Sequence, residues 1–280
     1  MTSGNTDTSA DTDIPRRPVI ALLTDFGQAD GYVGVMKGVI LGIAPDATLV
    51  DLSHDVPPQH VATGAWLLHA AWRYFPAGTV LLCVVDPGVG SARRAIALRA
   101  ADRYFVGPDN GLFSYLLPDA DAAVVLDAPR YHLPQTSATF HGRDIFAPCA
   151  AWLVRATPLA ALGSPLAVAD LVALDLPQPR WQAGELIGRI LHIDRYGNLI
   201  TSFGPVLAAR ILSSESAALR IGEWEIAARA SHFAAGPERA PFLLRDSSGQ
   251  LAIAVRNGDA AALLGAQRGQ MVRVLGLPET

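Results

Sequence analysis

The chain has 280 residues, of which half are hydrophobic, so it can bury a sizeable core in one large domain or two unequal ones. Its formal net charge of −4 argues against a nucleic-acid partner, which normally needs a basic face. No apolar run approaches the roughly 20 residues of a membrane-spanning helix, and both cysteines lie in apolar runs, so we expect a cytoplasmic protein without a membrane partner.

The N-terminal segment, residues 1–17, is rich in Ser, Thr, Asp, Gly and Asn and contains no apolar stretch. Such a composition cannot bury enough apolar surface to fold, and it lacks the apolar core of a signal peptide. The sequence therefore predicts a disordered tail here, with order beginning at Pro18.

Residues 18–165 alternate β-rich apolar runs with segments of helical periodicity. The predicted strands cover residues 19–23, 48–52, 79–85, 95–98, 104–106 and 123–126. The predicted helices cover residues 32–43, 60–75 and about 142–155. Alternation of this kind is typical of a layered α/β domain with a largely parallel sheet.

The pattern changes after residue 165. The stretch that follows is rich in proline, and we assign residues 166–183 to a linker. Beyond it, short predicted strands are separated by Gly-rich turns, and they cover residues 186–193, 199–202, 218–221, 242–245, 251–255 and 271–275. This pattern predicts a smaller, all-β, barrel-like domain over residues 184–280.

Polar residues follow several predicted strands, at the positions where open α/β sheets bind ligands. These clusters are Thr24-Asp25, Ser53 to Asp55, Asp86, Pro108-Asp109-Asn110 and, at a predicted helix start, His141-Gly142-Arg143-Asp144. A single Asp after a strand is commonly a helix cap or a turn former. Five clusters on one expected face of the domain favour a functional site.

Metal-dependent phosphoester hydrolysis is one chemistry that these residues could support, because several Asp with His and Asn can bind two metal ions. No HxH, HExxH or CxxC spacing supports it. The sequence also contains neither a phosphate-binding loop nor a Ser nucleophile elbow. Local patterns alone leave the chemistry open.

Several segments together resemble one enzyme family. The motifs are Thr24-Asp25-Phe26-Gly27, Asp86-Pro87-Gly88-Val89-Gly90 followed by Arg93-Arg94, Pro108-Asp109-Asn110-Gly111, Phe140-His141-Gly142-Arg143-Asp144, Ile193-Asp194 followed by Tyr196-Gly197-Asn198 and, more weakly, Asp246-Ser247-Ser248-Gly249. From Val19 to the C-terminus, the chain resembles the adenosine-forming S-adenosylmethionine (SAM) hydrolases, also called SAM hydroxide adenosyltransferases. These are relatives of the SAM-dependent fluorinase and chlorinase.

The resemblance implies hydrolysis of SAM to adenosine and L-methionine by attack of water on the ribose C5′, with no cofactor and no metal. Asp86, Arg93 and His141 would form the catalytic triad, in which Asp86 and His141 supply acceptors for the proton of the water, and the sequence leaves open how the proton is divided between them. From the residues alone, Asp86 could instead form an Asp-Pro-Gly turn and His141 a helix cap. The resemblance also implies a homotrimer, with each site between the α/β domain of one subunit and the β-domain of its neighbour.

The substrate contacts follow from the same resemblance. Asp25 would hold the ribose hydroxyls, and Asn198 would read the adenine edge with Tyr196 near the ring. Asp194 and Ser247 would contact the amino and carboxylate ends of methionine. Asp194, Asn198 and Ser247 also lie in turn-forming sequence, so each could instead shape a turn.

Some positions depart from the halogenating relatives. They have a Tyr at the position of Asp86, and an anion beside this carboxylate would be repelled. Val89, Gly142 and Gln59 replace the fluorinase's halide-contacting Thr and Ser and its pocket Trp, although Gly142 is compatible with the chlorinase. Ser248 replaces an Arg that follows the fluorinase Ser. We therefore expect hydrolysis, and we retain a SAM-dependent halogenase and a non-catalytic adenosyl-ligand-binding protein as alternatives.

Overall fold

The computed structural model describes residues 17–279, so the predicted disordered tail lies outside the described residues except for Arg17. The chain forms two compact units. The first unit holds the described residues up to 58 together with 75–109 and 119–171, and the second holds 59–74, 110–118 and the described residues from 172 onward. Because these units interleave along the chain, the sequence-based boundaries at 165 and 184 stay a prediction.

The first unit contains one seven-stranded sheet. Its strands are β1 (Val19–Thr24), β2 (Thr48–Ser53), β3 (Val80–Val84), β4 (Ala95–Ala100), β5 (Arg103–Pro108), β6 (Ala120–Val125) and β7 (Pro165–Leu166). They lie in the order β2-β1-β3-β5-β4-β6-β7. The strands β2, β1, β3 and β5 run parallel, whereas β4, β6 and β7 join the sheet through antiparallel pairs. The predicted α/β fold with a largely parallel sheet is confirmed.

Two helices of the first unit, α1 (Tyr32–Ile43) and α3 (Ala147–Val154), contribute to its hydrophobic core with the sheet. Met36 and Ile40 on α1 are fully buried there, at the spacing of one helix face. The predicted helix over 142–155 begins differently from the expectation, because Gly142–Phe146 forms a π-helical turn before α3. Such turns frequently mark functional sites.

The second unit is dominated by an antiparallel, nearly closed, barrel-like sheet, as predicted. Its strands are β8 (Arg180–Gln182), β9 (Glu185–Ile193), β10 (Leu199–Thr201), β11 (Ala218–Ile221), β12 (Trp224–Ile226), β13 (Pro241–Arg245), β14 (Leu251–Val255) and β15 (Met271–Leu275). They lie in the order β12-β11-β15-β9-β10-β14-β13, with β8 paired to β9.

Three helices also belong to this second unit. They are α2 (Val61–Ala71), α4 (Pro205–Ser213) and α5 (Ala260–Leu264). The first matches the predicted helix, which a 3₁₀ turn over Trp72–Tyr74 extends. The other two were not predicted, because helices of nine and five residues repeat the 3.6-residue period too few times to stand out. None of the helices in the described part of the chain is long and apolar enough to cross a membrane.

The parallel strands determine where the polar clusters lie. Strands β1, β2 and β3 end at Thr24, Ser53 and Val84, and they are neighbours in the sheet. Since the carboxyl ends of parallel strands meet at one edge, the loops that carry Asp25 and Asp86 leave the sheet side by side.

A histidine of the second unit contributes to the pH dependence of the protein's stability. His192 lies in β9, and its Nδ1 is buried with no hydrogen-bond partner among the described residues. Burial, together with the charge of Arg268, lowers the pKa of this imidazole from 6.5 to about 4. Because the unfolded chain binds a proton near pH 6.5 and the folded chain does not, the free energy of unfolding should fall as the pH drops from 6.5 toward 4.

Replacing His192 with Gln should reduce this pH-dependent loss by on the order of 1–2 kcal/mol, an amount that allows for solvent screening of the half-buried ring. Urea unfolding of wild type and variant, at about pH 7 and about pH 4.5, measures the difference. His232→Gln, which replaces an exposed histidine, is the matched control and should leave the loss unchanged. An equal loss in wild type and His192→Gln would contradict the prediction.

Candidate active site

A pocket of the first unit brings the predicted catalytic residues Asp86 and His141 together. It has a volume of about 150 Å³. Its other lining residues are Phe26, Tyr32, Val84, Val89, Thr139, Phe140 and Gly142. Asp86 follows β3 in the sequence and His141 precedes the π-helical turn, so two separate loops supply the polar groups.

Arg93 binds the carboxylate of Asp86 through two parallel hydrogen bonds. Its Nε donates to Oδ1 at 2.9 Å and its Nη2 donates to Oδ2. The side chains of Arg93 and Asp86 are 9% and 5% exposed. A carboxylate this buried needs a charged partner, and the bidentate guanidinium provides one in a fixed plane. Asp86 therefore presents a charge-compensated carboxylate to the pocket.

The same guanidinium determines the tautomer of His141. Arg93 Nη2 lies 2.8 Å from His141 Nδ1. A guanidinium can only donate, so Nδ1 accepts and the proton of the neutral ring lies on Nε2. Burial and then the charge of Arg93 lower the pKa of His141 below 6.5, which favours this neutral form.

This tautomer differs from the expectation that both Asp86 and His141 accept a proton. With Nδ1 bound by Arg93 and Nε2 protonated, the imidazole offers a donor rather than an acceptor. Of Asp86, Arg93 and His141, only Asp86 therefore retains acceptor capacity toward a water molecule. The geometry therefore separates one acceptor from one donor.

The loop after Asp86 packs closely against the backbone of Ala138. Gly90 has φ of +77°, and a Cβ at this position would lie 2.3 Å from the carbonyl oxygen of Ala138. Only glycine permits this approach. The contact brings the loop that carries Asp86 and Arg93 against the segment that leads to His141.

Asp144 holds the segment before His141, a role that sequence reasoning did not identify. Its side chain is fully buried and accepts hydrogen bonds from the backbone N–H of Ser137 at 2.8 Å and from Arg143 at 2.6 and 3.0 Å. Its backbone carbonyl accepts from Leu133. The adjacent Arg143 and Asp144 were the available signal in the sequence, but the burial of Asp144 is visible only in the structure.

Three aromatic residues form another part of the pocket that sequence reasoning missed. The rings of Phe26, Tyr32 and Phe140 lie with centroids 5.3–5.9 Å apart, and both contacts made by Phe140 are edge-on. Phe26 and Tyr32 lie close together in the sequence, but Phe140 is far from both, so no local pattern could have grouped all three. They give the pocket an apolar wall.

A second pocket lies within the second unit and contains two of the predicted substrate-binding residues. Its volume is about 640 Å³. It is lined by Tyr196, Asn198, Phe233, Ala234, Val255, Arg256, Asn257 and Gly258. Phe233 and the segment 255–258 were not predicted as site residues, because they carry no recognised motif.

The structure gives Asp194 a turn-forming role. Its carboxylate accepts from the backbone N–H groups of Tyr196 and Asn198, both at 2.9 Å, and from Asn198 Nδ2 at 2.8 Å. These bonds fix Tyr196 and Asn198 at the pocket. A contact between Asp194 and a ligand stays a prediction.

The remaining predicted substrate-binding residues line neither of these two pockets. Ser247 is exposed in the turn between β13 and β14, which Asp246 stabilises by accepting from Ser248 and Gln250. Asp25 is half-buried directly after β1 and next to Phe26, which does line the first pocket. Over residues 17–279, no group of three His, Cys, Asp or Glu side chains is arranged to hold a metal ion.

Family models and known proteins match this chain along most of its length. The models for the N-terminal and C-terminal domains of SAM hydroxide adenosyltransferase match residues 20–163 and 188–273. A protein of Salinispora tropica named (R)-S-adenosyl-L-methionine hydrolase is 41% identical over 92% of this chain and 97% of its own length. A fluorinase of Nocardia brasiliensis is 29% identical over 67% of this chain and 71% of its own length. The crystal structure of an uncharacterized conserved protein from Thermotoga maritima has a TM-score of 0.85 at 33% identity, covering 91% of this chain and 99% of that one.

The buried ion pair between Arg93 and Asp86 can be tested by measuring stability, without an activity assay. Arg93→Met should lower the free energy of unfolding by about 3–5 kcal/mol, because it leaves Asp86 buried without its charge partner. Asp86→Leu/Arg93→Met should recover most of that loss, since apolar replacement of both ions is often neutral. Urea unfolding near pH 7 measures both. A single variant as stable as wild type, or a double variant no better than the single, would contradict the pairing.

Proposed function

The chain belongs to the SAM hydroxide adenosyltransferase family, and on that premise we propose that it hydrolyses S-adenosyl-L-methionine to adenosine and L-methionine. The observation that carries the proposal is the group formed by Asp86, Arg93 and His141, in which one guanidinium joins a buried carboxylate and a donor imidazole. The family relatives named as hydrolases support the same reaction.

The chemistry of the substrate determines what the protein must supply. Methionine sulfur leaves a sulfonium as a neutral thioether, so no acid has to protonate it. The protein must hold a water molecule in line with the C5′–S bond and remove its proton. The water oxygen bonds to C5′, the electron pair of the C5′–S bond goes to sulfur, and the proton goes to Asp86.

His141 has a different task in this proposal. Its Nε2–H donates a hydrogen bond to the oxygen of the water, which directs the water's own O–H at Asp86 and a lone pair at C5′. Arg93 holds both partners of the water through hydrogen bonds. It is therefore a positioning residue that also compensates the charge of Asp86.

We propose that the substrate-binding residues act as the family resemblance implies. Asp25 accepts hydrogen bonds from the ribose hydroxyls, and Tyr196 lies near the adenine ring. Because Asn198 Nδ2 is bound by Asp194, the Asn198 Oδ1 atom is the acceptor suited to the exocyclic amine of adenine. Asp194 and Ser247 meet the methionine end.

We further propose that the enzyme is a homotrimer whose sites combine the first unit of one subunit with the second unit of its neighbour. The pocket at Asp86 measures about 150 Å³, less than the roughly 300–1,000 Å³ of pockets that enclose a small-molecule ligand. The pocket at Asn198 holds the residues assigned to adenine but none assigned to the reaction. One substrate therefore needs both pockets, and a symmetric assembly can supply them.

The reaction balances with SAM and water alone, so we propose that it needs no cofactor and no metal. We also propose that it takes place in the cytoplasm. Cys83 and Cys149 are unpaired and buried, and burial raises the pKa of the Cys149 thiol to about 12. Inert reduced thiols fit a reducing compartment.

A product assay tests the reaction. Purified wild type incubated with SAM, without added metal, should release adenosine and methionine in equal amounts, as measured by chromatography. Asp86→Asn should lower kcat at least about 100-fold, because the amide cannot accept the proton. Asp121→Asn, which neutralises an exposed carboxylate, is the matched control and should retain wild-type kcat.

The other outcomes identify the alternatives. A halogenated nucleoside formed in chloride or fluoride would indicate a halogenase, and binding of SAM without turnover would indicate a non-catalytic binding protein. Phosphoesterase activity abolished by a chelator would indicate a metal-dependent enzyme. Near-normal turnover by Asp86→Asn would refute its role as the acceptor.

Subunit mixing tests the trimer. Asp86→Asn and Asn198→Ala disable different units, so each variant alone should have a low kcat/KM. If sites form between subunits, dissociating and reassembling an equal mixture should restore about one quarter of the wild-type sites, since a quarter combine two intact units. Sedimentation analysis should give three times the monomer mass. No recovery of activity on mixing would contradict the shared site.

A further inference from the structure

The loop that carries Asp25 and Phe26 is held on both sides by one buried residue, His54. On one side, His54 Nδ1 lies 2.8 Å from Thr24 Oγ1. On the other, the backbone carbonyl of His54 accepts from the N–H of Gly27 at 2.8 Å. His54 is 3% exposed and Thr24 is 0% exposed, so both partners are fixed in the protein interior.

The regular pairing of β1 with β2 changes at this point. The register between the two strands shifts between Leu22 and Leu23, and β1 ends at Thr24. Beyond the shift, the hydrogen bonds of His54 connect the end of β2 to the residues that flank Asp25. The loop therefore obtains from His54, through its side chain and its backbone carbonyl, a restraint that a regular strand obtains from its neighbour.

The hydrogen bonds that link Asp51, His54 and Thr24 have mutually consistent donor and acceptor directions. His54 Nε2 lies 2.9 Å from Asp51 Oδ1, and because a carboxylate only accepts, Nε2 carries a proton. In the neutral ring, Nδ1 then accepts the hydroxyl proton of Thr24. Thr24 Oγ1 in turn accepts from the backbone N–H of Phe26 at 3.2 Å, and this bond connects the hydrogen-bond network to the loop itself.

At the other end of the hydrogen-bond network, Asp51 is bound by the charged side chain of Lys37. Lys37 Nζ, on α1, donates to Asp51 Oδ2 at 2.7 Å. Burial raises the pKa of Asp51, but the hydrogen bonds from Lys37 and His54 outweigh it and hold that pKa below its usual range. The orientation of His54 is thus maintained by an ion pair between α1 and β2.

A hydroxyl, an imidazole and a carboxylate in series also suggest a nucleophile with its base and orienting acid. The burial of Thr24 argues against that role, because a fully buried hydroxyl cannot reach a substrate. What the chain can do is restrict the two residues that follow Thr24. Phe26 lines the pocket of Asp86 and His141, and Asp25 precedes it.

We infer that His54, acting through Thr24, is a positioning residue that holds Asp25 in the orientation needed to bind the ribose hydroxyls of the substrate. This inference rests on the proposed hydrolysis of SAM and deepens it. It assigns the network a function in substrate selection, namely the preference for a nucleoside that carries a 2′-hydroxyl.

The experiment compares SAM with its analogue that lacks the ribose 2′-hydroxyl. Wild type should favour SAM in kcat/KM by roughly 10- to 100-fold, the range expected for one hydrogen bond to a charged group. Thr24→Val removes the hydroxyl with little change in volume, and it should bring that preference to within about threefold of unity, mainly by raising KM for SAM. His54→Ala should do the same, and Thr24→Ser should retain the wild-type preference.

Thr201→Val is the matched control. Thr201 is also fully buried, donates its hydroxyl proton to a backbone carbonyl and accepts from the N–H of the phenylalanine two residues later. It should lose stability to a similar degree but keep the wild-type preference for SAM. Thermal unfolding establishes that the compared variants are folded, and Thr24→Val decides the question if His54→Ala is not.

The outcomes separate the inference from the function on which it rests. If Thr24→Val and His54→Ala lose stability but keep the wild-type preference, the network is structural and the inference is overturned. If wild type releases adenosine but shows no preference, Asp25 does not read the 2′-hydroxyl, and the inference fails while hydrolysis stands. If wild type releases no adenosine, the proposed function fails and the inference fails with it.

Discussion

The guanidinium of Arg93 is the constraint on which the candidate site depends. It makes two hydrogen bonds to Asp86 and one to His141, and it lies 5.2 Å from the ring centroid of the buried Phe146. Through these contacts it compensates a buried charge, determines a tautomer and fixes the relative orientation of two side chains. A lysine could not replace it, because an ammonium group lacks the planar fork that engages both carboxylate oxygens and the imidazole in one fixed geometry.

The fold supplies what a single side chain cannot. Parallel strands place the loops after β1 and β3 at one edge, and the close approach of Gly90 to Ala138 brings the loop after β3 against the segment before His141. Through buried hydrogen bonds, Asp144 restrains the segment before His141, and His54 restrains the loop after β1. The residues proposed to touch the substrate are therefore held by a layer of residues that do not.

The sequence predicted the fold class and the grouping of Asp86, Arg93 and His141 better than it predicted the roles of these residues. The alternation of strands and helices depends on local apolar periodicity, and Asp86, Arg93 and His141 lie in compact motifs, so both were accessible without a structure. The tautomer of His141 was not, because it depends on a contact with Arg93 across 48 residues. The aromatic wall and the His54 chain likewise join residues from different elements, and no local spacing records such contacts.

The reaction explains why a carboxylate whose two oxygens both accept hydrogen bonds from a guanidinium can still serve as the proposed proton acceptor. In SAM the carbon under attack bears a cationic leaving group that departs as a neutral thioether, so the bond to be broken is activated before water arrives. The demand on the protein is geometric: the water must be in line, and a proton acceptor must be present as the O–H bond weakens. Arg93 fixes the position of this acceptor. A free carboxylate in the same pocket would carry the cost of an unpaired buried charge and would lose the orientation that the chemistry requires.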